Sequence, residues 1–189
     1  DFAGTVSILG GWNEDFSSSS AHAESTIIDG DQAGRPLTLE ISGGSILIES
    51  ITFSNGLVGD PLPFGGGVDA RLTGNAVFRM ENCGISENSV VSPGQAWGGG
   101  ISVWTRGSSE LHLSRLSVID NTADCSFGGG SGGLYIVASD SSVVTISSAV
   151  IERNTVQTKN VGTLIQYGGI AVFGDDDSTV AVEDTIVRA

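Results

Sequence analysis

Basic residues are scarce in this sequence. It has eight Lys and Arg residues, with Lys159 the single lysine, against 22 Asp and Glu residues, so the formal net charge at pH 7 is −14. Proteins that bind nucleic acids or anionic membranes present basic patches to the phosphate groups. The composition offers no such patch, so no nucleic-acid partner is expected. Acidic polysaccharides are disfavoured for the same electrostatic reason, unless a cation bridges the like charges.

Long apolar runs, proline and cysteine are scarce too. No run of about 18 apolar residues occurs, so we expect no membrane span. Four prolines accompany 28 glycines without a strict glycine period, which excludes a collagen-like chain. The two cysteines, Cys83 and Cys125, allow at most one disulfide bond and say little about the redox compartment. No signal peptide is recognisable, and Asp1 is interpreted as mature sequence.

Glycine, in contrast, is abundant, and it recurs in pairs that precede an aliphatic residue. The pairs occupy positions 66–67, 99–100, 132–133 and 168–169, at intervals of 33, 33 and 36 residues. Asparagine gives an independent marker, because Asn88, Asn121 and Asn154 are also separated by 33 residues. A fixed period of this length is typical of repeat proteins whose units stack on one another.

Apolar residues alternate between these markers with the period of a β-strand. Each repeat contains three such segments, as in Val68-x-Ala70, Phe78-x-Met80 and Cys83-x-Ile85. Three short strands leave no room for a helix, so each repeat forms one coil that stacks about 4.8 Å from the next by parallel hydrogen bonding. The sequence therefore predicts an all-β fold, a right-handed parallel β-helix (solenoid) with three short strands and about 33 residues per coil. A β-sandwich also uses many short strands, but it does not explain this period.

The period predicts one β-helix domain over residues 1–189, which we expect to be a fragment of a longer solenoid. The expected coils are an irregular first coil at 1–33, followed by 34–56, 57–89, 90–122, 123–155 and 156–189. The ends of such a stack expose unpaired strand edges. End-to-end self-association is therefore a further expectation.

The repeated glycines and asparagines are predicted to be structural. Glycine pairs stand where the chain turns into the first strand of a coil, at positions that need a positive φ or a close backbone approach. Asparagine tolerates left-handed backbone geometry, and stacked asparagines bond to one another as a ladder. The predicted turn residues are Asn88, Asn121, Asn154, Gly66, Gly67, Gly99, Gly100, Gly132, Gly133, Gly168 and Gly169.

The alternate residues of the first strand are predicted to face outwards in columns. One column is Asp69, Ser102, Tyr135 and Ala171, its neighbour is Arg71, Trp104, Val137 and Phe173, and Phe64 aligns with Trp97. Aromatic rings offer flat faces to sugars, and charged side chains bond to hydroxyl groups. The predicted ligand-binding residues are Asp69, Arg71, Trp97, Trp104 and Tyr135. The alternative is that the loops at 57–64, 90–97 and 156–167 fold over this face and bury the aromatic residues.

Metal binding and catalysis have weaker support. The acidic turns at 174–178 and 29–31 offer oxygen ligands for calcium, but neither has the spacing of a calcium-binding loop. The sequence therefore does not identify a bound metal. No cofactor is expected, unless calcium binds at one of these turns. Glycosidases need two neighbouring carboxylates, and Asp69 has no acidic partner in its column. His112 is predicted to point outwards beside Arg79, without a catalytic partner. No catalytic residue is predicted, and Cys83 is expected to be an inert core thiol.

The segments "GGWNEDF" (10–16), "STIIDG" (25–30) and "ITFSNG" (51–56), followed by "GGGI…N" units, resemble bacterial right-handed parallel β-helix repeat proteins. The similarity is to the polymorphic outer-membrane protein-like repeats of secreted and surface proteins, and it covers nearly the whole chain. It implies an extracellular, adhesin-like role, secreted or at the bacterial cell surface, and it transfers no catalytic residue. "SGGL" and "YGGI" lack the third glycine, so a different turn is expected there.

The sequence favours a non-catalytic extracellular β-helix segment that acts as an adhesin-like binding unit or a structural scaffold. Its aromatic residues make an extended glycan the first ligand to consider, with a surface protein as the other. Two alternatives stay open. One is a carbohydrate-active enzyme domain of the polysaccharide lyase or glycosidase type, and the other is a subunit of a self-assembling filament or stalk.

Overall fold

A computed structural model describes residues 4–20, 22–59, 63–127, 130–158, 166–175 and 177–188. Strands dominate the described chain, which contains one short 3-10 turn at Ala23–Ser25. The strands form parallel sheets whose members recur about every 33 residues. The predicted parallel β-solenoid is therefore confirmed. No described helix has the length and apolar character needed to cross a membrane.

Three sheets run the length of the solenoid. Sheet I comprises Leu37–Ile41, Val68–Leu72, Ile101–Thr105, Leu134–Ala138 and Ile170–Gly174. Sheet II comprises Thr5–Leu9, Ser45–Glu49, Val77–Glu81, Glu110–Ser114, Val143–Ser147 and Thr179–Glu183. Sheet III comprises Ile27–Asp29, Thr52–Ser54, Gly84–Ser86, Ser117–Ile119, Val150–Glu152 and Ile186–Arg188. These are the three strands per coil that the apolar alternation predicts.

A fourth sheet was not predicted. Sheet IV comprises Leu57–Val58, Ser89–Ser92, Thr122–Cys125 and Thr155–Thr158, and a further short pair joins Gly130–Ser131 to Gln166–Tyr167. Its strands have few inward apolar residues, such as Val90 and Ala123, which form a small second core with Ala96 and Cys125. One or two apolar residues per strand give too short an alternation to be recognised in the sequence.

The main core consists of columns of aliphatic and aromatic side chains inside the coils. In sheet II, Phe78, Leu111 and Val144 lie in register and are fully buried. Burial of each such side chain contributes about 1.5–3 kcal/mol, which a single coil without neighbours would not gain. Residues 10–26 interrupt the first coil between sheets II and III, and Trp12 pairs there with Ser19 in an antiparallel bridge.

The asparagine ladder is confirmed. Asn88, Asn121 and Asn154 are buried in one column. The backbone N–H and side-chain Nδ2 of Asn88 both donate to Asn121 Oδ1, at 3.0 and 2.9 Å. Asn121 makes the same two bonds to Asn154 Oδ1, at 3.0 and 2.9 Å. The ladder therefore ties consecutive coils together at the entry to sheet IV.

The left-handed residue of this turn is not the asparagine. It is the residue before it, since Glu87, Asp120 and Arg153 have φ of 58°, 58° and 53°. The ladder explains the difference, because the asparagine must begin a strand with its side chain directed inwards. The preceding residue then takes the φ that reverses the chain.

The glycine pairs are required by close backbone approach. A Cβ atom on Gly66 would lie 2.3 Å from the carbonyl oxygen of Gly99, and one on Gly99 would lie 2.4 Å from that of Gly132. The positive φ falls on the glycine before the pair, at Gly65 (53°) and Gly98 (65°). Ser131 and Tyr167 occupy that place in the later coils without a positive φ. The prediction of a different turn at "SGGL" and "YGGI" is therefore confirmed.

Candidate functional site: an aromatic strip and groove on sheet I

The two predicted outward columns exist. Tyr135 lies in register between Ser102 and Ala171, and Asp69 precedes Ser102. In the neighbouring column Trp104 lies in register with Arg71 and Val137. Phe64 and Trp97 pair in a parallel bridge just before the glycines. The shared period is sufficient to place all of these residues relative to one another.

The first column is covered. Asp69 is 5% exposed and Tyr135 is 8% exposed, although both lie on the outer face of sheet I. The Trp97 ring packs on the Tyr135 ring at a centroid distance of 4.8 Å. The segment that carries Trp97 therefore covers this column, as the alternative interpretation predicts. Positions 60–62 and 159–165 of the other two loops lie outside the described residues.

The second column is open to solvent. Trp104 is 38% exposed and Phe173 is 43% exposed. Trp104 also meets Phe64 edge-on at 5.8 Å, and Phe173 lies 5.8 Å from Tyr135. We call Phe64, Trp97, Trp104, Tyr135 and Phe173 the aromatic strip. Each such pair contributes about 0.5–1.5 kcal/mol beyond burial, which stabilises the packing of the rings on one another.

A groove of about 600 Å³ runs beside the exposed column. Its apolar side is formed by Phe64, Trp104 and Val137. Its other side is a polar wall at the turns that leave sheet I, formed by Thr73, Arg106, Ser139, Asp140 and Asp175. An aromatic surface that faces convergent polar groups is the usual composition of a small-ligand site.

The polar wall repeats with the coils. Thr73, Arg106, Ser139 and Asp175 are separated by 33, 33 and 36 residues, the intervals of the glycine pairs. The backbone N–H of Arg106 donates to Leu72 O at 2.9 Å, and those of Ser139 and Asp175 donate to equivalent carbonyls at 3.0 Å. Each coil therefore places one polar side chain of the wall at the equivalent position, directly after its strand of sheet I. This wall is not among the sites predicted from the sequence, although the 33-residue period also applies to its residues.

The charges of the groove balance. Arg71 and Arg106 are matched by Asp140 and Asp175. Arg106 Nε lies 3.7 Å from Asp140 Oδ2, which also accepts a hydrogen bond from the Gly107 N–H at 3.0 Å. Within a strongly acidic protein, the groove itself is thus close to neutral.

Arg35 secures the start of the strip from below. Its guanidinium donates to the carbonyl oxygens of Gly65 and Phe64, at 2.6 and 2.5 Å, and to Thr38 Oγ1 at 3.1 Å. Arg35 Nη1 also lies 3.7 Å from Asp69 Oδ2. Burial raises the pKa of Asp69, and the nearby Arg35 charge opposes this shift. Asp69 thus faces the arginine that bonds to the backbone of the strip, and it is buried outside the lining of the groove.

Two buried polar atoms beneath the strip lack partners. Asp69 Oδ1 and Ser102 Oγ, on adjacent coils, make no hydrogen bond within the described chain. Buried polar groups without a partner lower the free energy of unfolding. Burial is also the main cause of the raised pKa of the Asp69 carboxyl group.

Other candidate groups lie outside the groove. His112 is beside Arg79 as predicted, and its Nε2 lies 3.0 Å from Glu110 Oε2 on the same face of sheet II. The expectation that His112 has no partner of this kind is therefore wrong, although residues two apart on a strand share a face and the pairing was visible in the sequence. Cys83 and Cys125 are buried free thiols, and burial raises the pKa of Cys83 to about 11.

The acidic turns show no assembled metal site in the described residues, where no three His, Cys, Asp or Glu side chains are close enough to hold an ion. At 29–31 the Asp29 carboxylate accepts bonds from the Asp31 N–H at 2.8 Å and Asn55 Nδ2 at 3.0 Å, and these bonds lower its pKa. At 174–178, position 176 lies outside the described residues. Calcium binding stays a prediction.

The strip and groove on sheet I are thus the place where exposed aromatic rings, polar side chains and a concave surface coincide. Comparison of the chain with protein-family models, with curated proteins and with solved structures finds no match.

Proposed function

We propose that this protein is a non-catalytic binding module that holds an extended, uncharged glycan in the groove of sheet I. The observation that supports this most is the exposed column of Trp104 and Phe173 on sheet I. Trp104 lines the groove, and the polar side chains of Thr73, Arg106, Ser139 and Asp175 stand two residues further along the chain than this column on successive coils. The aromatic faces would stack on the apolar faces of sugar rings. The wall would bond to their hydroxyl groups.

Electrostatics favour an uncharged ligand. Equal numbers of Arg and Asp line the groove, so it offers no net attraction to an anion. The net charge of −14 over the whole chain repels anionic polymers at long range. A neutral polysaccharide avoids this repulsion and uses the mixed donors and acceptors of the wall.

The biological setting of this proposal is extracellular. The motifs that resemble polymorphic outer-membrane protein-like repeats support a secreted or surface-exposed bacterial protein with an adhesin-like role. A strongly acidic surface also keeps such a protein soluble. In this setting the module would attach its carrier to a polysaccharide.

The enzyme alternative depends on Asp140 and Asp175, two carboxyl groups on adjacent coils of the groove. A glycosidase would use one as acid and the other as base or nucleophile. Asp140 is already bound to Arg106 and the Gly107 N–H, which favours a positioning role. Release of reducing sugar from neutral polysaccharides would support the alternative, and its absence with retained binding supports a binding module.

A glycan array followed by calorimetry tests the proposal. The parent protein should bind uncharged glycans, and Trp104→Ala with Phe173→Ala should lower the affinity about tenfold for each lost ring, or about 1.4 kcal/mol. Phe16→Ala is the matched control, because Phe16 is 75% exposed and lies in the 10–26 segment. A parent that binds no uncharged glycan, or a double variant that binds as the parent does, would disprove the proposed function.

A further inference from the structure

The exposed aromatic rings are spaced along the solenoid axis. Trp104 and Phe173 occupy the same column, with the smaller Val137 between them. Neighbouring coils are about 4.8 Å apart, so equivalent positions two coils apart are separated by about 10 Å. A chain that stacks on both rings must therefore run across the strands, parallel to the axis.

The linkage of a glycan decides whether it can follow such a straight column. In a β-1,4-linked chain of pyranose rings, each ring is turned by about half a rotation relative to the last, and the chain is nearly straight. Its repeat is a disaccharide, whose length is close to the two-coil separation of about 10 Å. Rings one and three of a trisaccharide would then present the same face to Trp104 and Phe173. α-1,4- and β-1,3-linked chains curve away from a straight column.

The polar wall has the matching period. Thr73, Arg106, Ser139 and Asp175 provide one side chain per coil, so each successive ring meets one donor or acceptor. Their backbone N–H groups are bonded to the coil before, which fixes their spacing. The aromatic column and the wall thus specify the same step of one sugar ring per coil.

We infer that the groove selects an uncharged β-1,4-linked pyranose chain, aligned with the solenoid axis and placed with one ring on each coil. This inference rests on the proposed function and adds the linkage and orientation of the ligand to it. The ring over Val137 contacts a small side chain, and the rings on either side stack on Trp104 and Phe173.

Titration calorimetry with defined oligosaccharides tests the linkage. The probes are cellobiose, cellotriose, mannotriose and chitotriose, compared with maltotriose and laminaritriose. We expect the best β-1,4-linked trisaccharide to bind about tenfold more tightly than cellobiose, because a disaccharide reaches only one exposed ring. Maltotriose and laminaritriose should bind about tenfold more weakly than that trisaccharide.

The spacing is tested by moving one ring. Val137→Phe combined with Phe173→Ala keeps two exposed aromatic residues but places them on adjacent coils. This variant should lose the preference for a trisaccharide over a disaccharide, whereas Phe16→Ala should retain it. Circular dichroism and the thermal unfolding midpoint show whether each variant is folded, and Trp104→Phe gives a conservative variant that should retain the length preference.

The outcomes separate the two proposals. Equal binding of maltotriose or laminaritriose and the best β-1,4-linked trisaccharide overturns the inference and leaves the proposed function standing. An unchanged length preference in the Val137→Phe, Phe173→Ala variant also overturns it. Failure of every uncharged glycan to bind, on the array and in calorimetry, overturns both.

Discussion

Asn121 is the middle residue of the asparagine ladder, and its side chain takes part in five hydrogen bonds. Its Oδ1 accepts from Asn88, and its Nδ2 donates to Asn154 and to the carbonyls of Ile85 and Ile119. The residue is fully buried. Asn121→Ala removes all five bonds at once and tests whether the ladder holds the coils together.

The expected loss follows from the partners left behind. The buried Asn88 N–H loses its acceptor, at about 1–3 kcal/mol, and the other lost bonds contribute about 0.5–1.5 kcal/mol each where water cannot replace them. Because several partners keep a second bond, the sum is about 3–5 kcal/mol, at the upper end for a single substitution. Asn121→Asp should be at least as destabilising at pH 7, because a buried carboxylate would face the carbonyl oxygens of Ile85 and Ile119.

Urea unfolding followed by tryptophan fluorescence measures these free energies. Asn75→Ala is the matched control, since Asn75 is exposed in the turn before sheet II and should change the free energy of unfolding by less than about 0.5 kcal/mol. A loss below about 1 kcal/mol for Asn121→Ala, with an unchanged dependence on urea, would show that the ladder bonds do not stabilise the fold. An Asn121→Asp variant with the free energy of unfolding of the parent would show that the size of the side chain, and not its amide group, stabilises this position.

Two further predictions concern the glycines and Asp69. Gly99→Ala should lower the free energy of unfolding by about 3 kcal/mol, because the new Cβ atom would lie 2.4 Å from the carbonyl oxygen of Gly132. Gly34→Ala is the control and should change the free energy of unfolding by less than about 1 kcal/mol, because the space around Gly34 is open. Equal effects of the two substitutions would contradict the close approach at Gly99. The pKa of Asp69 is higher in the folded protein than its unfolded value of about 3.9. The free energy of unfolding therefore falls as the pH rises from the unfolded pKa to the folded pKa, because the folded protein holds the proton more tightly. Asp69→Asn should therefore unfold at higher urea than the parent at pH 7 and at the same urea near pH 3, and a variant that is less stable than the parent at pH 7 would refute this sign.

The columns of sheet I were predictable because two kinds of periodicity combine in them. The two-residue alternation of a strand assigns each residue to the inner or the outer face of the sheet. The 33-residue interval identifies the equivalent residue on the next coil. These two numbers place Trp104 and Val137 correctly, and the single longer interval of 36 residues, read from the last glycine pair, places Phe173. The 33-residue interval also correctly predicts that Asn88 and Asn121 lie in one column.

The covering of Tyr135 could not be predicted in this way. It depends on the path of the segment that carries Trp97, which has no alternation and differs from coil to coil. The left-handed residue was also misplaced, because Glu87 and Arg153, at two of the three equivalent positions, are not residue types that favour a positive φ. Their conformation is imposed by the inward asparagine that follows, so it is a tertiary effect and not a local preference.

Among the residues that the structure describes, every long strand of the solenoid pairs only with the equivalent strands of the coils directly before and after it. Tandem duplication or deletion of one 33-residue unit would thus preserve the register on both sides of the change. Such an event would lengthen or shorten the groove by one layer without a new interface having to evolve. Recombination can therefore change the length of this surface by whole coils.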